Sequence, residues 1–237
     1  MTETLFLRSA DVDGLATPAE FVAAVRDAYR QRGEGAPAEP RTKLGNADPP
    51  GFLTTYAAIL PDTGAMGGYT YAAGFGDRDA HFVLPLFDAE SGELLALLDG
   101  ASMNPFKTGA TGAVGVDELA REDARLCAVI GSSAQARGQL KATATVRDFE
   151  AVRVFSSTAG HRRTFASEFD DRLSADVRAV GSAADAVDDA DVVITATTAT
   201  DPVLRNADLP EGVHITAMGQ YDRGKRELDA ATVARAT

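Results

Sequence analysis

The stretch Val129-Ile130-Gly131-Ser132-Ser133-Ala134-Gln135-Ala136 is built for holding a dinucleotide. Residues 126–130 are apolar and read as a strand, with a helix expected from about Ala134. Gly131 permits the tight turn between them, and Ala136 lets the helix lie close to the strand. The N–H groups of the first helical turn then point at a pyrophosphate. At position 133 a second glycine usually brings backbone close to phosphate; here Ser133 adds a hydroxymethyl group that either donates to a phosphate oxygen or pushes the dinucleotide away. An acidic residue at the end of the following strand would accept the ribose hydroxyls of NAD. This chain has Phe155-Ser156-Ser157-Thr158 there, with His161, Arg162 and Arg163 close behind. Hydroxyls with positive charge and no acid favour NADP(H) over NAD(H), with Arg163 expected to face solvent on a helix whose other side carries Phe165 and Phe169.

The elements that must position this turn follow from periodicity and punctuation. Strand Leu126 to Ile130, helix Ala134 to Val146, strand Val152 to Ser156, helix Gly160 to Arg172, strand Asp176 to Val180, helix Ala183 to Val187 and strands Asp191 to Ala196 and Val213 to Met218 alternate. Such alternation implies an α/β fold with a Rossmann-type parallel sheet. Before it, residues 108–120 read as a tightly packed helix despite glycines at 109, 112 and 115. The first part of the chain differs. Thr17-Pro18-Ala19-Glu20 opens a capped helix whose apolar side is expected at Phe21, Val25, Ala28 and Tyr29. Residues 33–51 hold too many glycines and prolines for an element and read as an extended loop. Strands are expected at Phe52 to Ala58, Gly68 to Ala73, His81 to Phe87 and Leu94 to Leu98, the last two joined by a hairpin turn. The reading is a smaller α+β domain at 1–107 and a dinucleotide-binding domain at 108–237.

With 237 residues and 45% hydrophobic composition, the chain is sized for one good core or two small ones. A net charge of −12 opposes binding to nucleic acid, and no apolar run approaches the roughly 20 residues needed to span a membrane. A cytoplasmic address is expected. Scattered acids, a preference for arginine over lysine and many small residues fit a surface kept hydrated in concentrated salt, as in a halophile. The single cysteine, Cys127, lies in an apolar run and is expected to be buried. Three histidines far apart in sequence give no metal-ligand spacing.

The segments LFLRSADVDGL, PLFDAESGELLALLDG, NPFKTGATGAVGVDELAREDARLCAVIGSSAQARGQL, ADVVITATTATDPVL and HITAMGQYDRGKRELD, in that order, resemble the ornithine cyclodeaminase and mu-crystallin family. Within it the later part is similar to the ectoine-utilisation or cyclodeaminase-like branch. The resemblance implies a substrate-binding and dimerisation domain followed by a Rossmann domain, a homodimer, and nicotinamide-dependent chemistry on a small carboxylate-bearing imino or amino acid. It also implies cofactor contacts from Thr108, from Gly131, Ser132, Ser133, Gln135 and Ala136, from Ser156, Ser157, Thr158 and Arg162, and from Thr197 and Gly219. Arg41 matches an arginine that grips the substrate carboxylate, and Lys107 stands where the family has a second arginine. A lysine is a point charge rather than a planar fork, so looser orientation of the substrate is expected. Tyr69 replaces a proton-handling lysine, and Tyr221 replaces the catalytic aspartate, with Asp222 beside it. Those losses argue against ornithine cyclisation and leave imine reduction, ammonia-lyase chemistry as the alternative, or a catalytically impaired protein with a structural or regulatory role. The family also continues past the position of Thr237, so this chain is expected to be a shortened form.

Overall fold

The computed structural model describes residues 3–75, 80–220 and 224–236, which form two compact units, Met1–Asn104 and Pro105–Thr237. The first unit runs β1 (Leu5–Leu7), α1 (Ser9–Val12), α2 (Pro18–Gly33), β2 (Ala38–Ala47), β3 (Pro50–Leu60), β4 (Ala65–Ala73), β5 (His81–Asp88) and β6 (Leu94–Asp99). Its six strands form one sheet in the order β1-β6-β5-β4-β3-β2, antiparallel except for the parallel pairing of β1 with β6. α2 starts as its residue types demand: Thr17 accepts the Glu20 N–H at 3.3 Å and the Glu20 carboxylate accepts the Thr17 N–H at 2.7 Å. Of the residues expected on its apolar side, Phe21, Val25 and Ala28 are partly buried and Tyr29 is not. Val22 and Gln31 are buried while Tyr29 is 53% exposed, and the buried Gln31 amide donates to Thr63 at 2.9 Å and accepts from Asp62 N–H at 3.1 Å.

The region read as a loop contains strand β2. It pairs with β3 from Ala38↔Ala58 to Ala47↔Pro50, and its register shifts between Glu39 and Thr42. Pro40 falls in that irregularity, and β2 lies at the sheet edge; a bulge and an edge are the places where a strand tolerates a residue without an N–H. β1 and α1 are a further addition that no sequence period announced.

The second unit runs α3 (Met103–Leu119), β7 (Leu126–Ile130), α4 (Ala134–Thr143), β8 (Ala151–Phe155), α5 (Ala159–Asp170), β9 (Asp176–Ala179), α6 (Ala183–Val187), β10 (Val192–Thr195), β11 (His214–Ala217) and α7 (Ala230–Arg235), with α3 starting just before the unit boundary. Every pairing is parallel and the strand order is β11-β10-β7-β8-β9, the Rossmann-type α/β sheet. The chain winds one way from β7 to β9 and then returns to the other side of β7, so β7 and β10 flank a topological switch point. One core cluster joins Val116 of α3, Leu140 of α4 and Phe165 and Phe169 of α5; the other joins Ile130, Val187, Val193 and Leu204. Cys127 is fully buried in β7, and that burial pushes its thiol up, out of reactive range.

Glycines set how closely α3 and α4 pack. A Cβ at Gly109 would lie 2.2 Å from the Gly138 carbonyl oxygen, and one at Gly138 would lie 2.2 Å from that of Pro105. The two backbones therefore touch. Across the same contact the buried Gln139 donates to the Thr108 carbonyl at 2.8 Å. At the other end of α3, Arg147 donates to the carbonyls of Val116, Asp117 and Ala120 at 3.3, 2.9 and 3.2 Å, satisfying groups that a helix terminus leaves open.

Candidate functional site

The C-terminal ends of β8, β7, β10 and β11 form a continuous rim in the second unit. Gly131 follows β7 with φ +122°, and a Cβ there would stand 2.4 Å from the Ala196 carbonyl oxygen at the end of β10. Only glycine satisfies both the conformation and the approach. Its N–H donates to the Phe155 carbonyl at 2.8 Å, which ties the turn to β8 as well. Ser132 meets Ser156 hydroxyl to hydroxyl at 3.1 Å, and Arg137 reaches back from α4 to the Ser132 carbonyl. The Arg137 guanidinium is itself held by Glu168 at 2.7 Å and lies 5.0 Å from the Phe165 ring centre. Sequence reasoning passed over Arg137, which buttresses the turn from behind.

The geometry of Ser133 bears on the question its type raised. It is the N-cap of α4: its hydroxyl accepts the Ala136 N–H at 3.4 Å and donates to the Ala196 carbonyl at 3.4 Å. The hydroxyl is thus turned toward protein groups. The N–H groups of Ala134 and Gln135, in the first turn, have no acceptor within the helix. Gln135 also carries a buried side-chain oxygen without a hydrogen-bond partner among the described residues. A turn that only glycine can make and an open helix start fit a pyrophosphate-bearing nucleotide.

At the end of β8, Ser156 donates to the Thr158 carbonyl at 3.3 Å, while Ser157 and Thr158 are exposed. Arg162 does not present a free cation to this edge. Its Nη1 donates to the Ser156 carbonyl at 2.8 Å and its guanidinium lies 5.4 Å from the Phe155 ring centre.

At the other end of the rim one residue organises everything. Glu227 is 3% exposed; its Oε1 accepts the Thr197 N–H at 2.7 Å, and its Oε2 accepts the Thr195 hydroxyl at 2.8 Å and the Gly219 N–H at 2.7 Å. A Cβ on Gly219 would lie 2.4 Å from both Glu227 Oε1 and the Thr197 carbonyl oxygen. The carboxylate therefore clamps the loops after β10 and β11, and Gln220 adds a bond from its amide to the Thr197 carbonyl at 3.1 Å. Sequence reasoning missed Glu227. It sits among Lys225, Arg226 and Asp229, a run whose charges give no period by which to pick the buried member. His214 of β11 is half-buried and bonded to Thr216 at 3.1 Å; burial, with Arg147 adding to it, holds its imidazole below the ordinary range.

Arg41 and Tyr69 belong to the first unit, Lys107 and Thr108 to α3 of the second. Arg41 is exposed on β2 with its guanidinium 5.4 Å from the Tyr56 ring centre and 5.7 Å from that of Tyr71. Tyr69 is buried in β4, stacked on Tyr56 at 5.7 Å and edge-on to Phe82 at 5.8 Å, with its hydroxyl donating to the Gly100 carbonyl at 3.5 Å. Burial, with Tyr56 beside it, pushes the Tyr69 phenol above its ordinary value. Such a phenol stays protonated. Lys107 accepts the Thr111 hydroxyl on its carbonyl at 3.1 Å, as part of α3. Tyr221 and Asp222 lie outside the described residues.

A glycine turn pinned at the switch point of a five-stranded parallel sheet defines a Rossmann-type α/β protein. The sequence pattern of the Ornithine cyclodeaminase/mu-crystallin family matches residues 2–237, and the chain belongs to that family. It is 32% identical over 161 residues to a Δ1-pyrroline-2-carboxylate reductase of Bacillus cereus, a match covering 68% of this chain and 49% of that protein. The chain thus spans about half the length of that relative. Among solved structures, the Δ1-pyrroline-2-carboxylate reductase of Thermococcus litoralis in complex with NADH and L-proline is 30% identical, with a TM-score of 0.90 over 98% of this chain and 74% of that one. An archaeal alanine dehydrogenase dimer with bound NAD is 29% identical, with a TM-score of 0.90 over 99% of this chain and 73% of that one.

These two structures overturn the expected preference for NADP(H): both hold the cofactor without the 2′-phosphate. The physical reason is at Arg162 and Ser156. Sequence places a cation and hydroxyls near the ribose position, but the folded chain spends the Arg162 guanidinium on a backbone carbonyl and a ring face, and the Ser156 hydroxyl on Thr158 and Ser132.

Proposed function

We propose that this chain is an NAD(H)-dependent oxidoreductase acting on a small imino or amino acid, in the manner of a ketimine reductase or an amino-acid dehydrogenase. The observation that carries the reading is the Gly131 turn held against Ala196, because it leaves the start of α4 open to a dianionic pyrophosphate at the switch point. The named chemistry of the pyrroline-2-carboxylate reductase and alanine dehydrogenase relatives supports the reaction class.

In this reading the N–H groups of Ala134 and Gln135 take the pyrophosphate, with Gly131, Ser132, Ser133 and Ala136 shaping the turn and Thr108 at the phosphate side. Ser156, Ser157 and Thr158 line the ribose end, where Arg162 braces the backbone. Thr197 and Gly219 flank the nicotinamide end. A nicotinamide held between these groups would supply hydride to an imine carbon, with a proton going to the nitrogen. Arg41 of the first unit offers a planar fork for a substrate carboxylate, and Lys107 of the second unit offers a point charge. Tyr69 takes no proton, since its phenol is desolvated and already donates to Gly100; it packs the wall of the substrate unit. Asp222 or Tyr221 is left as the group to manage the proton on nitrogen. The same proposal includes a homodimer, a cytoplasmic address and a surface adapted to concentrated salt.

The test is consumption of NADH, followed by its near-ultraviolet absorbance, with a cyclic 2-imino acid or with a 2-oxo acid plus amine. Turnover that falls at least tenfold in Lys107→Ala supports the reading. A folded protein that binds no NADH by calorimetry overturns it.

A further inference from the structure

Arg137 grips the turn after β7 twice. Its backbone N–H donates to the Ser133 carbonyl at 3.1 Å, as the start of α4 requires, and its Nη1 bends back to the Ser132 carbonyl. The guanidinium that makes the second bond is held on two sides. Glu168 of α5 accepts from its Nε at 2.7 Å and the Phe165 ring centre lies 5.0 Å from it, while Arg172 steadies the other Glu168 oxygen at 3.3 Å.

The Ser132–Ser133 peptide is trans, so its carbonyl and its N–H point in opposite directions. With the carbonyl drawn to Arg137, the Ser133 N–H faces away from the guanidinium. It meets no acceptor among the described residues, and the N–H groups of Ala134 and Gln135 follow it in the chain. Glu168 already offsets the Arg137 charge at contact distance, so what the arginine gives the turn is direction. A glycine at position 133 would bring the backbone close to phosphate by having no side chain. Here the Ser133 hydroxyl is turned to Ala136 and Ala196, and the backbone donor depends on the orientation of this one peptide.

We propose that Arg137 is a positioning residue for the pyrophosphate: it fixes the Ser132–Ser133 peptide so that the Ser133 N–H joins those of Ala134 and Gln135 as a donor, and Glu168 acts through it. The proposal rests on the nucleotide reading above. Neither side chain touches the ligand.

ADP-ribose carries the pyrophosphate without the nicotinamide, so its calorimetric Kd on the full chain reads this half of the site without turnover. Arg137→Lys keeps the charge but gathers its donors at one point, which cannot serve both Glu168 and the carbonyl. Arg137→Lys and Arg137→Ala are each expected to raise Kd by roughly tenfold or more, the effect of one hydrogen bond to a charged group. Glu168→Ala, which leaves the arginine and removes its anchor, raises Kd by roughly fivefold, whereas Glu168→Gln, whose amide oxygen still accepts from Nε, keeps it within about twofold. Should Arg137→Ala not fold, the two Glu168 variants decide. An unchanged Kd in Arg137→Lys, or tighter binding in Glu168→Ala, makes charge the contribution and overturns the proposal. The two readings fail separately. ADP-ribose affinity that ignores all four substitutions sinks the brace and leaves the nucleotide site, whereas affinity that follows them without turnover of any imino acid keeps the brace and sinks the reductase. An unmodified chain that binds no ADP-ribose removes both.

Discussion

Glu227 shows what a single buried carboxylate does for a strand-end site. Three donors, two backbone N–H groups and one hydroxyl, converge on it from residues 30, 8 and 32 positions away in sequence, the last at the end of β10. Hydrogen bonds to an ionised group contribute about 1.5–3 kcal/mol each, and leaving buried donors unpaired costs a similar amount. Glu227→Ala is therefore expected to lower the unfolding free energy by about 3 kcal/mol or more, read from urea denaturation, and to weaken NADH binding with it. Residue types identified Gly131 and Cys127 correctly because each rests on a local property, a turn conformation and apolar flanks. They misjudged Arg162, since whether a cation faces a ligand or a carbonyl is decided by where the backbone of Ser156 comes to lie. Glu227 was illegible for the same reason: its partners are remote.

At the level of elements, the alternating half of the chain was read nearly as it folds, with strands at 126–130 and 192–195 set by apolar runs that the sheet buries on both faces. The antiparallel part was read in four strands, but β2 was hidden by the prolines and glycines of residues 33–51, whose meaning changes once Pro40 sits in an edge bulge. The glycines of α3 and α4 carry the clearest prediction. Gly138→Ala would put a methyl carbon 2.2 Å from the Pro105 carbonyl oxygen, backbone that has nowhere to retreat. Overpacking of this kind costs about 1–3 kcal/mol, and a matching fall in the urea midpoint is expected. Gly115→Ala on the same helix pair meets open space and should leave that midpoint unchanged or higher, since alanine is the better helix former.

For the whole molecule, the net charge of −12 is spread over two units whose surfaces carry many exposed acids. Self-repulsion of that charge opposes the folded state and is screened over about 10 Å at 0.1 M salt but about 3 Å at 1 M. The thermal midpoint is expected to rise by several degrees between about 0.1 M and about 2 M KCl. A midpoint that does not move across that range would remove the saline adaptation from the proposal. Composition made the net charge legible at once, whereas the assignment of cofactor and substrate roles to residues came only from family likeness.

The carboxylate beyond β11 also bears on how the site is born. On a ribosome the supports of the Gly131 turn from β7, α4 and β8 emerge first, its packing against Ala196 follows, and Glu227 comes last. The turn after β7 is thus complete before the loops beyond β10 and β11 are tied together by the Glu227 carboxylate.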